Sequence, residues 1–227
     1  MNEKQAAAEY AVDYIDDGMT IGLGSGSTVA FMLSKLSQRV KNGLKIKAIS
    51  TSATTTKLAT TLGIKVSKLN EIDEIDLTID GADEVDGNLD GIKGGGGALL
   101  YEKIVASISK KNIWIVDSTK LVKSLGKFPL PVEIVKYGSD HLFRKFEKKG
   151  YNPVFRNAGK TLFVTDNNNF IIDLRMNNIK DPSELDKKLK SYPGVVETGL
   201  FYNIADLVIA GVGESVKVIN KKKRVQT

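Results

Sequence analysis

The sequence predicts an α/β protein: a Rossmann-like, mostly parallel sheet carrying an inserted, smaller ferredoxin-like α+β domain. Three observations lead there. Short apolar strands alternate with amphipathic helices up to about Val116, as βαβ units do. The pattern changes at KFPLPVEIV, where Pro129 and Pro131 mark a boundary. Beyond it the order becomes β-α-β-β-α-β, the split βαβ arrangement. Ala205 to Ala210, ADLVIA, is a further apolar strand suited to rejoining the first sheet. The expected division is residues 1–130 plus 205–227 for the core and 131–204 for the smaller domain.

The elements follow in order. Asn2 to Ile15 reads as a helix, with Asn2 as its cap, Gln5 three residues on and Gly18 past its end. Met19 to Leu23 is a strand running into GLGSGST, which opens a helix with Val29, Met32, Leu33 and Leu36 at helical spacing. Lys45 to Ile49 is the next strand, Ser52 to Leu62 a helix closed by Gly63, and Ile64 to Val66 a third short strand. Ile75 to Ile79 is a fourth strand, Ala98 to Ser109 a helix and Ile113 to Val116 a fifth strand. In the second unit come a strand at Val132–Val135, a helix Asp140–Lys148, a strand near Val154, and a hairpin in TLFVTDNNNFIIDLRM turning at Asn167–Asn169. A helix Ser183–Lys190 and a strand Val195–Phe201 complete it. Four polar or glycine-rich segments follow strand ends: Gly24–Thr28, Thr51–Thr54, Asp80–Glu84 and Asp117–Lys120. In open α/β sheets the ligand sits at such ends, near a switch in strand order.

Composition narrows the chemistry. The 227 residues include no cysteine, which removes thiol nucleophiles, thiolate metal sites and disulfides. One histidine, His141, argues against a histidine-rich metal site and leaves acid–base work to Asp, Glu and Lys. The net charge is +6, four of it in the tail Lys221–Arg224, a run that reads as solvated. No basic stripe with interleaved aromatics points to nucleic acid. No apolar run approaches the ~20 residues that span a bilayer, and the acidic N-terminal helix resembles neither signal nor transit peptide. A cytoplasmic protein handling an acidic metabolite is expected.

The central stretch is Ile75 to Ala106, where Asp80 and Asp83 flank Gly81-Ala82 and Lys93 precedes Gly94, Gly95, Gly96 and Gly97. Glu102 follows about one turn into the next helix. Bare glycines beside an ammonium suit an oxyanion, and Asp80 and Asp83 stand at the end of an apolar strand. Glu102 reads equally as a surface residue or a catalytic one. The earlier loop, Gly22 to Thr28, offers backbone amides at a helix start plus the hydroxyls of Ser25, Ser27 and Thr28. It lacks the third glycine of a dinucleotide fingerprint, and no GK[ST] makes it a Walker loop. A single phosphate fits it better, with a purely structural turn as the other reading. Asp86 to Gly91 matches half of an EF-hand, but position twelve is Gly97 and not a glutamate, so a solvated loop explains it. Lys120 either reaches the pocket or is solvated, His141 reads as structural or exposed, and Trp114 reads as core.

Together GLGSGST, TSATTTKLA, DGADEVD, IKGGGGALLYEKI, DSTK, GKFPLPVE and PGVVETGLF resemble ribose-5-phosphate isomerase of type A over nearly the whole chain. The resemblance implies a homodimer that interconverts D-ribose 5-phosphate and D-ribulose 5-phosphate in the pentose phosphate pathway without cofactor or metal. It places the catalytic base on Glu102 and sugar contacts on Asp80, Gly81, Ala82 and Asp83. The lysine–glycine segment falls on Lys93, Gly94, Gly95 and Gly96, the first loop on Ser25, Gly26, Ser27 and Thr28, and a further contact on Lys120. Ser25 stands where Thr is commoner in the family, and Tyr101 where Arg is common. A sugar-phosphate-sensing domain, or a phosphosugar or CoA-transfer enzyme on the same core, is the alternative.

Overall fold

The computed structural model describes residues 2–221; of the basic tail, Lys222–Arg224 lie outside them. The first part runs α1 (Glu3–Ala11), β1 (Thr20–Leu23), α2 (Ser27–Lys41), β2 (Lys47–Ser50), α3 (Ala53–Thr61), β3 (Leu77–Gly81), β4 (Glu84–Val85), β5 (Gly91–Ile92), α4 (Leu99–Ser107) and β6 (Asn112–Asp117). The second runs β7 (Leu130–Ile134), α5 (Ser139–Lys148), β8 (Pro153–Phe155), β9 (Asn157–Ala158), β10 (Thr161–Leu162), β11 (Phe170–Leu174), α6 (Pro182–Lys190) and β12 (Val195–Thr198). The chain then passes through β13 (Leu200–Phe201) to β14 (Leu207–Val212) and β15 (Ser215–Asn220).

The main sheet has the order β15-β14-β6-β3-β1-β2. All its pairings are parallel except β14 with β15. From β1 the chain goes to β2 on one side and then to β3 on the other, so the order reverses between β1 and β3. The alternation along each strand sorts the two faces. Ile21, Leu23, Leu77, Ile79, Ile113, Ile115, Leu207 and Ile209 pack with α1, α2 and α3. Trp114, Val116, Val208 and Ala210 face the other way, toward Leu99 of α4, Ile171 and Phe201.

The second sheet has the order β12-β7-β11-β8, and its strands pair antiparallel. Leu130, Val132, Ile134, Ile172 and Leu174 bury one face against Leu142 and Phe146 of α5 and Leu189 of α6. β14 pairs with β6 by Leu207↔Ile113 through Gly211↔Asp117, returning the chain to the main sheet. A small sheet, β13-β5-β4, bridges the two parts.

Four expectations need correction. Ile64–Val66 is not a strand: only the single bridge Ala48↔Val66 forms there. The first helix ends at Ala11 and continues as a 3-10 turn, Val12–Tyr14, although Asn2 caps it by accepting from the Gln5 amide at 2.8 Å. The hairpin partner is also different. The turn exists, with the Thr165 amide donating to Asn169 O at 3.0 Å. Its upstream arm, Thr161–Leu162, pairs with Asn157–Ala158, while β11 pairs with β7 and β8. Finally, the strands expected from the sequence end at Ala210, whereas Ser215–Asn220 forms an edge strand, β15, paired antiparallel with β14.

Candidate active site

The site lies outside the carboxyl ends of β1 and β3, at the reversal of strand order where such sheets bind ligands. Gly24 leaves β1 with its amide donating to Ile79 O at 2.9 Å. A Cβ there would stand 2.0 Å from Asp80 Oδ1 and 2.5 Å from Asp80 Cα. Gly24→Ala must therefore displace Asp80. We expect activity to fall at least ~10²-fold, the cost of misplacing a site by about 1 Å; a rate within twofold of the parent would show that Asp80 can move freely.

Asp80 is buried, and its Oδ1 accepts from the amides of Ser25 (2.9 Å) and Gly81 (2.7 Å). Its Oδ2 lies 2.9 Å from Lys93 Nζ. Lys93 also donates to Gly81 O, and its Nζ sits 5.2 Å from the Phe201 ring centroid and 3.4 Å from Glu102 Oε2. Asp83 Oδ2 accepts from the Gly95 amide at 2.7 Å.

Glu102 is on the first turn of α4, with Leu99, Val105 and Ala106 as the helix's other buried residues. Its Oε2 is buried and accepts no hydrogen bond from the protein; the Lys93 contact is an ion contact lacking hydrogen-bond geometry. Burial pushes the carboxyl up to about 8, with Asp80 and Asp83 adding to the rise and Lys93 opposing it. Lys93 goes up as well. Burial alone would lower it, but Asp80, Glu102 and Asp83 outweigh burial, so it stays an ammonium. Thus one buried cation serves three nearby carboxyl groups, and Glu102 is the one left poised near neutrality.

The glycine run makes its turn through positive φ at Gly94 (95°) and Gly97 (84°). Phe163 covers Gly97 so closely that a Cβ would meet its ring at 2.5 Å. At the other end of the cavity, α2 begins at Gly26 with no side-chain cap, leaving its first amides available to an anion.

Ser25, Gly26, Ser27, Thr28, Gly81, Ala82, Asp83, Lys93, Gly94, Gly95, Gly96, Glu102 and Lys120 line one cavity; Asp80, expected there from the sequence, does not line it but is buried against Lys93. Thr51–Thr54 do not line it. Ser25 Oγ turns back to Thr51 Oγ1 and Ser52 Oγ, both at 2.8 Å, so these hydroxyls brace the loop. Glu84 also looks away, accepting from the amides of Gly126 (2.7 Å) and Phe128 (2.6 Å). Lys120 lies 5.9 Å from the Phe128 ring centroid. Tyr101 is outside the cavity and partly exposed. The acidic loop is held by its own turn, Asp86 Oδ1 accepting from the amides of Asn88 and Asp90 at 2.8 and 3.0 Å. Among the described residues, no group of three or more His, Asp or Glu is arranged to hold a metal.

Two contributors carried no local sequence signal. Lys4, on α1, lines the cavity and donates to Ser27 Oγ at 3.1 Å. Arg156, beyond β8, donates to Gly94 O and Gly95 O at 2.7 and 3.1 Å.

Comparison with known proteins places the chain in a family. The family model "Ribose 5-phosphate isomerase A (phosphoriboisomerase A)" matches residues 47–215. The ribose-5-phosphate isomerase A of Limosilactobacillus reuteri is 50% identical over 222 residues, covering 96% of this chain and 97% of the relative. Among solved structures, ribose 5-phosphate isomerase A of Methanocaldococcus jannaschii is 39% identical with TM-score 0.91, covering 96% of this chain and 98% of that one. A D-ribose-5-phosphate isomerase in complex with phospho-erythronic acid is 38% identical with TM-score 0.93, covering 97% and 100%. The chain therefore belongs to the ribose 5-phosphate isomerase A family.

Proposed function

We propose that the chain interconverts D-ribose 5-phosphate and D-ribulose 5-phosphate through an enediolate, with Glu102 as the base. The observation that carries this is the Glu102 carboxyl: buried, its Oε2 accepting no hydrogen bond, pushed up to about 8, and opening onto a cavity floored by Lys93 and walled by the glycine run.

The chemistry needs little else. Hydrogen on C2 of the open-chain aldose becomes acidic as the neighbouring carbonyl oxygen takes up charge. Glu102 removes that proton, leaving an enediolate with negative charge on O1. Lys93 and the glycine amides stabilise the oxygen. Glu102 then returns the proton to C1, and the O2 hydroxyl proton passes to O1, giving the ketose with no net gain or loss of atoms. A base with a pKa near neutrality both accepts and gives back a proton without a large uphill step. Asp83, held by the Gly95 amide and lining the cavity, binds hydroxyls at the reacting end and assists ring opening, while Asp80 holds the Lys93 ammonium in place from behind.

The phosphate occupies the uncapped start of α2, between Lys4 and Lys120. Its binding energy orients carbons that lie well away from it. The homodimer, the cytoplasmic location, the place in the pentose phosphate pathway, and the division at 130/131 and 204/205 expected from the sequence are proposals of the same kind.

The test is the appearance of D-ribulose 5-phosphate from D-ribose 5-phosphate, with free D-ribose in parallel. We expect the phosphorylated sugar to be turned over with kcat/KM at least ~10²-fold above the free sugar. Absence of the ketose, or equal turnover of both sugars, overturns the proposal.

A further inference from the structure

Four successive glycines have no side chains to fix their peptide planes. Something else must hold them if their amides are to face a developing oxyanion. Part of the restraint is internal: the Gly97 amide donates to Gly94 O at 2.9 Å, and the Gly95 amide to Asp83. The rest comes from across the fold.

Arg156 sits at the end of β8 with its guanidinium mostly buried, 13% exposed. Its Nε donates to Asp173 Oδ2 at 2.9 Å and its Nη2 to Asp173 Oδ1, so one edge of the fork is fixed by β11. Its Nη1 projects to Gly94 O at 2.7 Å and Gly95 O at 3.1 Å. The stacking environment is completed by Phe163, 6.0 Å from the guanidinium carbon and itself seated on Gly97.

A trans peptide is planar, with its C=O and N–H pointing in opposite directions. The Gly94 and Gly95 carbonyls belong to the peptides whose amides are those of Gly95 and Gly96. A donor gripping both carbonyls therefore sets where both amides point. The Gly95 amide is thereby aimed at Asp83, and the Gly96 amide is directed away from Arg156, in a residue that lines the cavity.

We propose that Arg156 is a positioning residue for the isomerisation, setting the peptide planes of the glycine run from the second sheet without touching the sugar. This rests on the function proposed above. Lysine cannot substitute fully, because one ammonium cannot hold the Asp173 carboxylate along one edge and both carbonyls from another.

The experiment compares Arg156→Gln, Arg156→Lys and Asp173→Asn with the parent, at a temperature where circular dichroism shows each to be folded. Three quantities are read: kcat, KM for ribose 5-phosphate, and the Kd of phospho-erythronic acid by calorimetry. That acid's carboxylate presents two oxygens where the enediolate would lie. For Arg156→Gln we expect kcat to fall about tenfold to hundredfold, as for loss of placement without loss of a reacting group. KM should stay within about threefold, because the phosphate end is unchanged, while the acid's Kd weakens about tenfold. Arg156→Lys should recover part of kcat, and Asp173→Asn should fall between the parent and Arg156→Gln.

Arg156→Gln with kcat within twofold of the parent would overturn the inference. So would full recovery by lysine, or a loss that merely tracks the folded fraction. Glu102→Gln in the same assay separates the two levels. If it turns over near the parent rate, the base assignment fails whatever Arg156 does. If it is inactive while Arg156→Gln is fast, only the positioning role falls.

Discussion

Glu102→Gln should lose about 10²–10⁴-fold in kcat, the range that removal of a positioned general base produces, while the folded protein becomes no less stable. The two expectations come from one fact. Burial and the nearby Asp80 and Asp83 raise the carboxyl to about 8, so the fold prefers its neutral form up to that pH. Glutamine copies the neutral form in size and shape but cannot accept a proton.

The sign of the pH dependence follows. The unfolded chain releases this proton near 4.5, and the folded chain holds it to about 8. The stability that the bound proton contributes is complete below about 4.5 and is lost as pH rises toward 8. Replacing Glu102 by Gln removes that loss. Thermal midpoints of parent and variant should agree at pH 4.5 and separate toward pH 8, with the variant the higher. In the parent, kcat/KM should rise with pH through an apparent pKa near 8, because only the carboxylate takes the proton from C2. A profile flat from pH 6 to 9, or a variant melting below the parent at pH 8, would count against Glu102 as the buried, proton-holding base.

The sequence carried most of the fold because its signals were local. Val29, Met32, Leu33 and Leu36 fall on the buried side of α2, and the strands β1, β3, β6 and β14 stand close to where apolar runs placed them. It failed where the deciding partner is distant. TLF reads as a strand whichever neighbour it takes, and nothing local in it names Asn157–Ala158 as the partner it pairs with. The bridging strands β4, β5 and β13 are two residues each, too short to show a period. In the site, the glycine loops and the acidic turn could be read because bare backbone and clustered charge are rare in sequence. Glu102 was ambiguous, yet a signal was present: it shares a stripe with Leu99 and Val105, at a spacing of three, which puts a carboxylate on an apolar face. Lys4 and Arg156 had no such mark. Each is a charged residue remote in sequence from the loop it serves, 23 and 62 positions from Ser27 and Gly94 respectively.

Lys93→Met should abolish turnover for two separable reasons and also weaken the fold. The first reason is direct: an oxyanion-facing cation is gone, which costs about 10²–10³-fold in kcat. The second acts through Glu102. Lys93 is the neighbour that opposes the rise in its pKa, so removing it drives the carboxyl further above 8 and leaves less base ionised at neutral pH. The stability effect comes from Asp80 and Glu102. Both stay buried after the cation leaves, and breaking a buried ion pair from one side typically costs about 3–5 kcal/mol. Asp80 keeps the Ser25 and Gly81 amides, which limits the loss to the lower end of that range. Denaturant midpoints of Lys93→Met, Glu102→Gln and the double variant measure the coupling. If the buried charge balance sets the cost, Glu102→Gln raises stability more in the Lys93→Met background than in the parent, because glutamine removes one of the carboxyls that the lysine served. Additivity of the two single changes within about 0.5 kcal/mol would mean the residues act independently. The base would then owe its poise to burial alone, and Lys93 would serve only the oxygen of the sugar.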